Sequence, residues 1–167
     1  VTRVQTCALP ILKHDPNFWN GFWYRTISRF FLIAAYMTTT PDAPVLHVEG
    51  DVLLLPNFPF DSFVSIKDDL AFPMINPNQG VASIFYIRKL SALQKFLLFS
   101  AKAVESSPFE TDMSLLAKYA KDCNEVLILP SLIQSNFEKD QTDEFQKKST
   151  LGFGDFLGLF DGATYGQ

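Results

Sequence analysis

The segment Val45-Leu46-His47-Val48-Glu49-Gly50-Asp51-Val52-Leu53-Leu54-Leu55 sets two carboxylates around a glycine at the end of an apolar run. Side chains at i and i+2 of a strand share a face, so the spacing predicts Glu49 and Asp51 side by side. Gly50 between them leaves room for a turn or for the close approach of a ligand. Burying an unpaired ion costs on the order of several kcal/mol, so a cation or a chemical role is the expected compensation. Two carboxylates at a strand terminus suit a hard divalent cation, Mg2+ or Mn2+, with positions left open for phosphate oxygens. The plain alternative is a pair of turn residues facing water. His47 lies two residues before Glu49 and could orient that carboxylate or ligate the ion. Inside an apolar strand, a buried histidine hydrogen-bonded to nearby backbone is the competing role.

Several elements must hold these groups in place. Trp19, Phe22, Trp23, Thr26, Ile27, Phe30, Phe31, Ala34 and Met37 recur at three- and four-residue steps, with Asn20, Arg25, Ser28 and Arg29 opposite, which predicts an amphipathic helix packed on a core. Asp15-Pro16 supplies a cap and a first-turn proline, and Thr38-Thr39-Thr40-Pro41 ends the pattern. Apolar runs predict strands over 45–48, 52–55, 63–66 and 81–87, with Pro73, Pro77 and Gly80 marking a loop. A helical pattern runs from Leu90 to Val104 and stops at Ser106-Ser107-Pro108. Thr111 caps a further helix carrying Leu115, Leu116, Tyr119 and Ala120, with Lys118 and Lys121 near its end. Glu125 to Pro130 predicts a short buried strand, and Gln134 to Ser149 an exposed loop or helix. This order of elements points to an α/β sandwich, helices covering a mixed sheet. Open sheets of that kind bind ligands at the carboxyl ends of their strands.

Composition narrows the possible functions. At 167 residues, 47% hydrophobic and 19% charged, the chain suits one domain with a sizeable core, and its 17 phenylalanines predict aromatic packing. The net charge is -4 and the basic residues are scattered, so nucleic acid and anionic membranes are not expected partners. Only Cys7 and Cys123 are present, without zinc-site spacing or a disulfide framework, which fits a reducing, cytoplasmic setting. The apolar run from Phe30 to Met37 is far shorter than the roughly 20 residues of a membrane span, so no transmembrane segment is expected.

The two ends differ from the middle. Residues 1–11 resemble translated adapter read-through and are set aside as a non-native leader. The chain stops at Tyr165-Gly166-Gln167, inside what looks like a motif, so 12–167 is expected to be a partial domain.

His47-Val48-Glu49-Gly50-Asp51-Val52, preceded by Phe22-Trp23-Tyr24-Arg25-Thr26-Ile27-Ser28-Arg29-Phe30-Phe31, resembles glycosyltransferases of the GT-A, nucleotide-diphospho-sugar transferase class. Phe160-Asp161-Gly162-Ala163-Thr164-Tyr165-Gly166-Gln167 is similar to a later segment of the same bacterial proteins. The resemblance covers 17–167 and implies a GT-A-like (Rossmann-like) α/β fold, a mixed sheet flanked by helices and incomplete at its C-terminus. Glu49-Gly50-Asp51 then stands where such enzymes place their DXD motif, with Glu49 replacing the commoner first Asp. In that class the last acid binds the metal that bridges the donor diphosphate, and the first contacts the ribose or the metal shell. His47, Glu49 and Asp51 are thereby implied to bind a nucleotide-sugar donor with Mn2+ or Mg2+.

The implied reaction is metal-assisted transfer of the sugar to an acceptor hydroxyl. Asp112 and Asp161 are the implied catalytic, acceptor-side groups; the competing roles are a first-turn helix charge for Asp112 and a turn for Asp161-Gly162. Arg25 and Arg29 could reach a diphosphate, although arginines on a polar helix face are commonly solvated. Trp19 and Trp23 could stack on a sugar, against a core role suggested by their spacing. Two alternatives are a catalytically silent GT-A-like binding or scaffolding domain and a metal-dependent sugar-nucleotide hydrolase.

Overall fold

The computed structural model describes residues 22–107, 109–131, 143–150, 153–156 and 158–160. The leader, the Asp15-Pro16 cap, Trp19 and Asp161 lie outside the described residues. In chain order the elements are α1 (Phe22–Met37), β1 (Val45–Val48), α2 (Phe60–Val64), β2 (Leu70–Asn76), β3 (Gln79–Gly80), β4 (Ile84–Ile87), α3 (Leu90–Ser106), α4 (Asp112–Asp122), β5 (Val126–Leu129), α5 (Glu144–Thr150) and α6 (Phe153–Phe156).

The sheet is mixed and open. Strand β4 lies between β1 and β2 and is antiparallel to both, with Val45 opposite Ile87 and His47 opposite Phe85. On its other side β2 pairs in parallel with β5, from Leu70 opposite Val126 to Pro73 opposite Leu129. Strands β1, β2 and β5 therefore run in one direction, and their carboxyl ends share one edge of the sheet.

Helices cover both faces because the strands are apolar on both. On one face Val45, Phe85, Ile87, Leu70, Phe72 and Ile128 pack against α1, α3 and α4. Helix α1 contributes Ile27, Phe30, Ala34 and Met37, each essentially fully buried, and burial of the three larger side chains stabilises by about 1.5–3 kcal/mol apiece. Its last carbonyls accept from the Thr38 and Thr39 hydroxyls, which satisfies groups that a helix end leaves unpaired. On the other face Leu46, Tyr86, Ala71 and Leu129 pack with Phe63, Phe156 and Phe160. The phenylalanines form edge-on contacts in both layers, including Phe30 with Phe96 at 5.1 Å and Phe63 with Phe160 at 5.7 Å.

Several sequence expectations are corrected. The apolar run at 52–55 does not form a strand: the Val52 amide donates to the Glu49 carbonyl, the chain turns, and Leu53 and Leu55 are exposed. Residues 63–66 are not a strand either, because α2 covers Phe60–Val64 and buries only Phe63. The strand expected over 81–87 begins at Ile84. The central strand β2 has no counterpart in the sequence reading, which took Pro73 as a loop marker. Pro73 lies beyond the last β2 residue paired with β4, so its missing amide costs that ladder nothing, and its carbonyl still accepts from the Val81 amide. Gly80 is a genuine steric requirement. A Cβ there would stand 2.7 Å from the Leu116 Cβ and 3.0 Å from the Phe72 ring, where β3 meets α4.

Candidate functional site

The carboxylates named by the sequence are separated by the turn that ends β1. Glu49 continues the strand, its amide donating to the Ser83 carbonyl, and its own carbonyl closes the four-residue turn to Val52. Gly50 and Asp51 are the exposed centre of that turn, so Asp51 does not share the strand face with Glu49. A Cβ on Gly50 would meet open space, so close approach does not explain the glycine.

Glu49 turns instead to Arg29 of α1, whose Nη1 pairs with the Glu49 carboxylate. The Nη2 of the same guanidinium donates to Asp112, the first residue of α4. One cation thus bridges two acids brought from distant parts of the chain. Asp112 is the deepest of the three, its side chain 5% exposed against 20% for Arg29 and 28% for Glu49. Arg29 also lies 5.4 Å from the centre of the Phe30 ring, a favourable distance for a cation on an aromatic face. Its Nε is buried without a partner.

Each arm of this cluster is held by local structure. Asp112 is fixed by a capping box: the Ser114 amide donates to the Thr111 hydroxyl at 3.1 Å, and the Thr111 amide to the Ser114 hydroxyl at 2.9 Å. Glu110, one residue earlier, is tied to the body of α4 by Lys118 and the Ser114 hydroxyl. Arg29 projects from the helix whose neighbouring stripe of Ile27, Phe30 and Ala34 is anchored in the core.

His47 occupies the same side of β1 as Glu49, half-buried, with its Nε2 enclosed and unpartnered. Burial, and secondarily the Arg29 charge, hold its pKa below the ordinary 6.5, so the imidazole is neutral at pH 7. The cluster of Arg29, Glu49 and Asp112 is left with one negative charge in excess. Such a locus accepts hydrogen bonds from hydroxyl groups; it does not attract a second anion.

The remaining candidates are dispersed. Arg25 is exposed one helical turn before Arg29. Nothing is described of the Trp23 side chain, and Asp161 lies outside the described residues. As arranged, Glu49 and Asp51 do not converge on one ion. Among the described residues no group of three or more His, Cys, Asp and Glu side chains could hold a metal, and the Glu49 charge is already met by Arg29. The divalent cation implied by the resemblance therefore does not fit these residues.

What the sequence understated is Arg29 itself. The signal was its position beside the buried stripe of α1, one residue from Phe30 and two from Ile27, where a long cation can reach back over the sheet edge. Among the described residues, no helix is long and apolar enough to cross a membrane. The chain matches no family model, no curated protein and no solved structure.

Proposed function

We propose that the chain is the donor-side part of a GT-A-like glycosyltransferase, moving a sugar from a nucleotide diphosphate to an acceptor hydroxyl. The observation that carries this is the convergence of Glu49 and Asp112 on Arg29, at the edge where β1, β2 and β5 present their carboxyl ends. That edge is where open α/β sheets bind ligands. The excess negative charge suits hydroxyl donors, which is what a ribose and a sugar ring offer. In this proposal Glu49 accepts from a hydroxyl of the donor, and Asp112 orients the attacking hydroxyl and takes its proton. Arg25, exposed one turn along α1, is the cation available to the diphosphate.

A catalytically silent binding domain is favoured by one specific feature: both acids are already engaged by Arg29. Thermal unfolding of the full chain with UDP-, GDP- and CDP-sugars tests the binding, since a ligand of the native state stabilises it by about 2.7 kcal/mol at a hundredfold excess over its dissociation constant. Acceptor-dependent release of nucleoside diphosphate supports transfer. Binding without turnover identifies the silent domain, and release at the same rate without acceptor identifies a hydrolase. A folded chain that none of these donors stabilises contradicts the proposal.

A further inference from the structure

Any ligand site built on Glu49 and Asp112 must solve an electrostatic problem, because Asp112 is nearly fully enclosed and Glu49 largely so. Two carboxylates in such surroundings need a cation. A divalent metal is the usual answer at the end of a sheet, and it would need oxygen or nitrogen ligands converging from several elements. Here three elements do converge, α1, β1 and α4, but the group at their meeting point is a guanidinium. Its planar fork gives one nitrogen to each acid, which a single ammonium could not do with the same geometry. The turn at 49–52 carries Asp51 outward, so the carboxylate expected as a metal ligand is spent on solvent.

We propose that Arg29 is the counter-cation of this locus, built into the chain, and that Glu49 and Asp112 neither require nor take up a divalent metal while it is in place. The inference rests on the glycosyltransferase proposal for its functional meaning: donor binding would then be independent of added Mn2+ or Mg2+. Arg29 is a positioning residue in this account. It sets the separation of the two carboxylates and prevents a metal from closing on them.

The structure also says what should happen when the guanidinium is removed. Arg29→Met keeps a long apolar stem beside Phe30 but leaves the Glu49 and Asp112 carboxylates without their shared cation. That is a better site for a transition-metal ion than the wild type offers.

The test is a titration of the full chain with Mn2+, following the spin-resonance signal of the free ion. Wild-type protein is expected to leave millimolar Mn2+ free, and Arg29→Met to bind it at least about tenfold more tightly. Adding Glu49→Gln and Asp112→Asn to Arg29→Met is expected to abolish the gain. Wild-type binding below millimolar Mn2+ that is lost in Glu49→Gln would overturn the proposal, as would a folded Arg29→Met that gains no affinity. If Arg29→Met does not fold, the wild type and Glu49→Gln alone decide: Mn2+ left free upholds the proposal, and Mn2+ bound through Glu49 overturns it. No nucleotide enters the titration. Failure of the glycosyltransferase proposal would appear separately, as a wild-type chain that no sugar nucleotide stabilises.

Discussion

Two half-buried ion clusters lie at opposite ends of β4, and they are built with opposite charge. At the end where β1, β2 and β5 finish, one arginine serves two acids, Glu49 and Asp112. At the end where β2 and β5 begin, one acid, Asp69, serves two cations, Arg88 and Lys89, the latter at 3.6 Å. The Asp69 cluster is also stitched by backbone: the Arg88 amide donates to the Asp69 carbonyl at 2.9 Å, and the Asp69 amide to the Glu125 carbonyl at 3.0 Å. It joins consecutive ends of paired strands and has a structural use in plain view. The Arg29 cluster joins a helix, a strand end and another helix, with few backbone bonds between them, at the edge where β1, β2 and β5 end. Similar chemistry therefore closes a sheet corner at one end and leaves a candidate site at the other.

The largest contrast is expected in stability. Arg29→Ala strands two carboxylates, one of them 5% exposed, and should cost about 3–5 kcal/mol in urea denaturation. Arg88→Ala leaves Asp69 with Lys89 and its backbone bonds, and should cost about 1–2 kcal/mol. Equal losses would break the distinction between the two ends.

A smaller contrast separates the acids of the Arg29 cluster. Asp112→Asn removes the more buried charge and should destabilise by about 1–3 kcal/mol. Glu49→Gln, at the more exposed position, should cost less than about 1 kcal/mol. The reverse order would mean that the strand end, not the helix cap, carries the cluster.

The two ends also differ in their response to pH, because His47 stands beside the Arg29 cluster. Its folded pKa lies below 6.5, chiefly through burial. Below pH 6.5 the unfolded chain binds a proton that the folded chain resists, so stability falls as pH drops from 6.5 toward the folded pKa and is flat on this account above it. His47→Gln should flatten the melting temperature between pH 7 and 5.5 relative to wild type. An unchanged pH profile would remove His47 from the cluster's energetics.

Much of this arrangement was legible in residue patterns. The helices α1, α3 and α4 followed from three- and four-residue apolar spacing, and the Thr111 cap was readable before the capping box with Ser114 was seen. Strand β5 followed from its short apolar run. Strand β2 was hidden because Pro73 reads as a breaker, whereas tertiary context places it beyond the last β2 residue paired with β4. Leu53 to Leu55 looked like a strand because apolar runs carry no mark of exposure, and a turn had already redirected the chain. At the site, His47, Glu49, Asp112 and Arg29 were each named from the sequence, but the joining of Glu49 to Asp112 through Arg29 was not. Strand periodicity put Asp51 beside Glu49, and only the backbone bond closing the turn at Val52 shows that periodicity ends at Glu49. Ion pairs between helices and strand ends depend on long-range packing, which no local spacing encodes.

The central claim is that the Arg29 end, and not the Asp69 end, receives a sugar nucleotide. The most direct test is calorimetric titration of UDP-, GDP- and CDP-sugars into wild type, Glu49→Gln and Asp69→Asn, each verified as folded. The account predicts binding to wild type and Asp69→Asn with matching affinity, and an affinity for Glu49→Gln weaker by about tenfold or more, the loss expected when a ligand hydroxyl gives up a charged hydrogen-bond partner. Binding that Glu49→Gln leaves unchanged, or that Asp69→Asn alone abolishes, would contradict it.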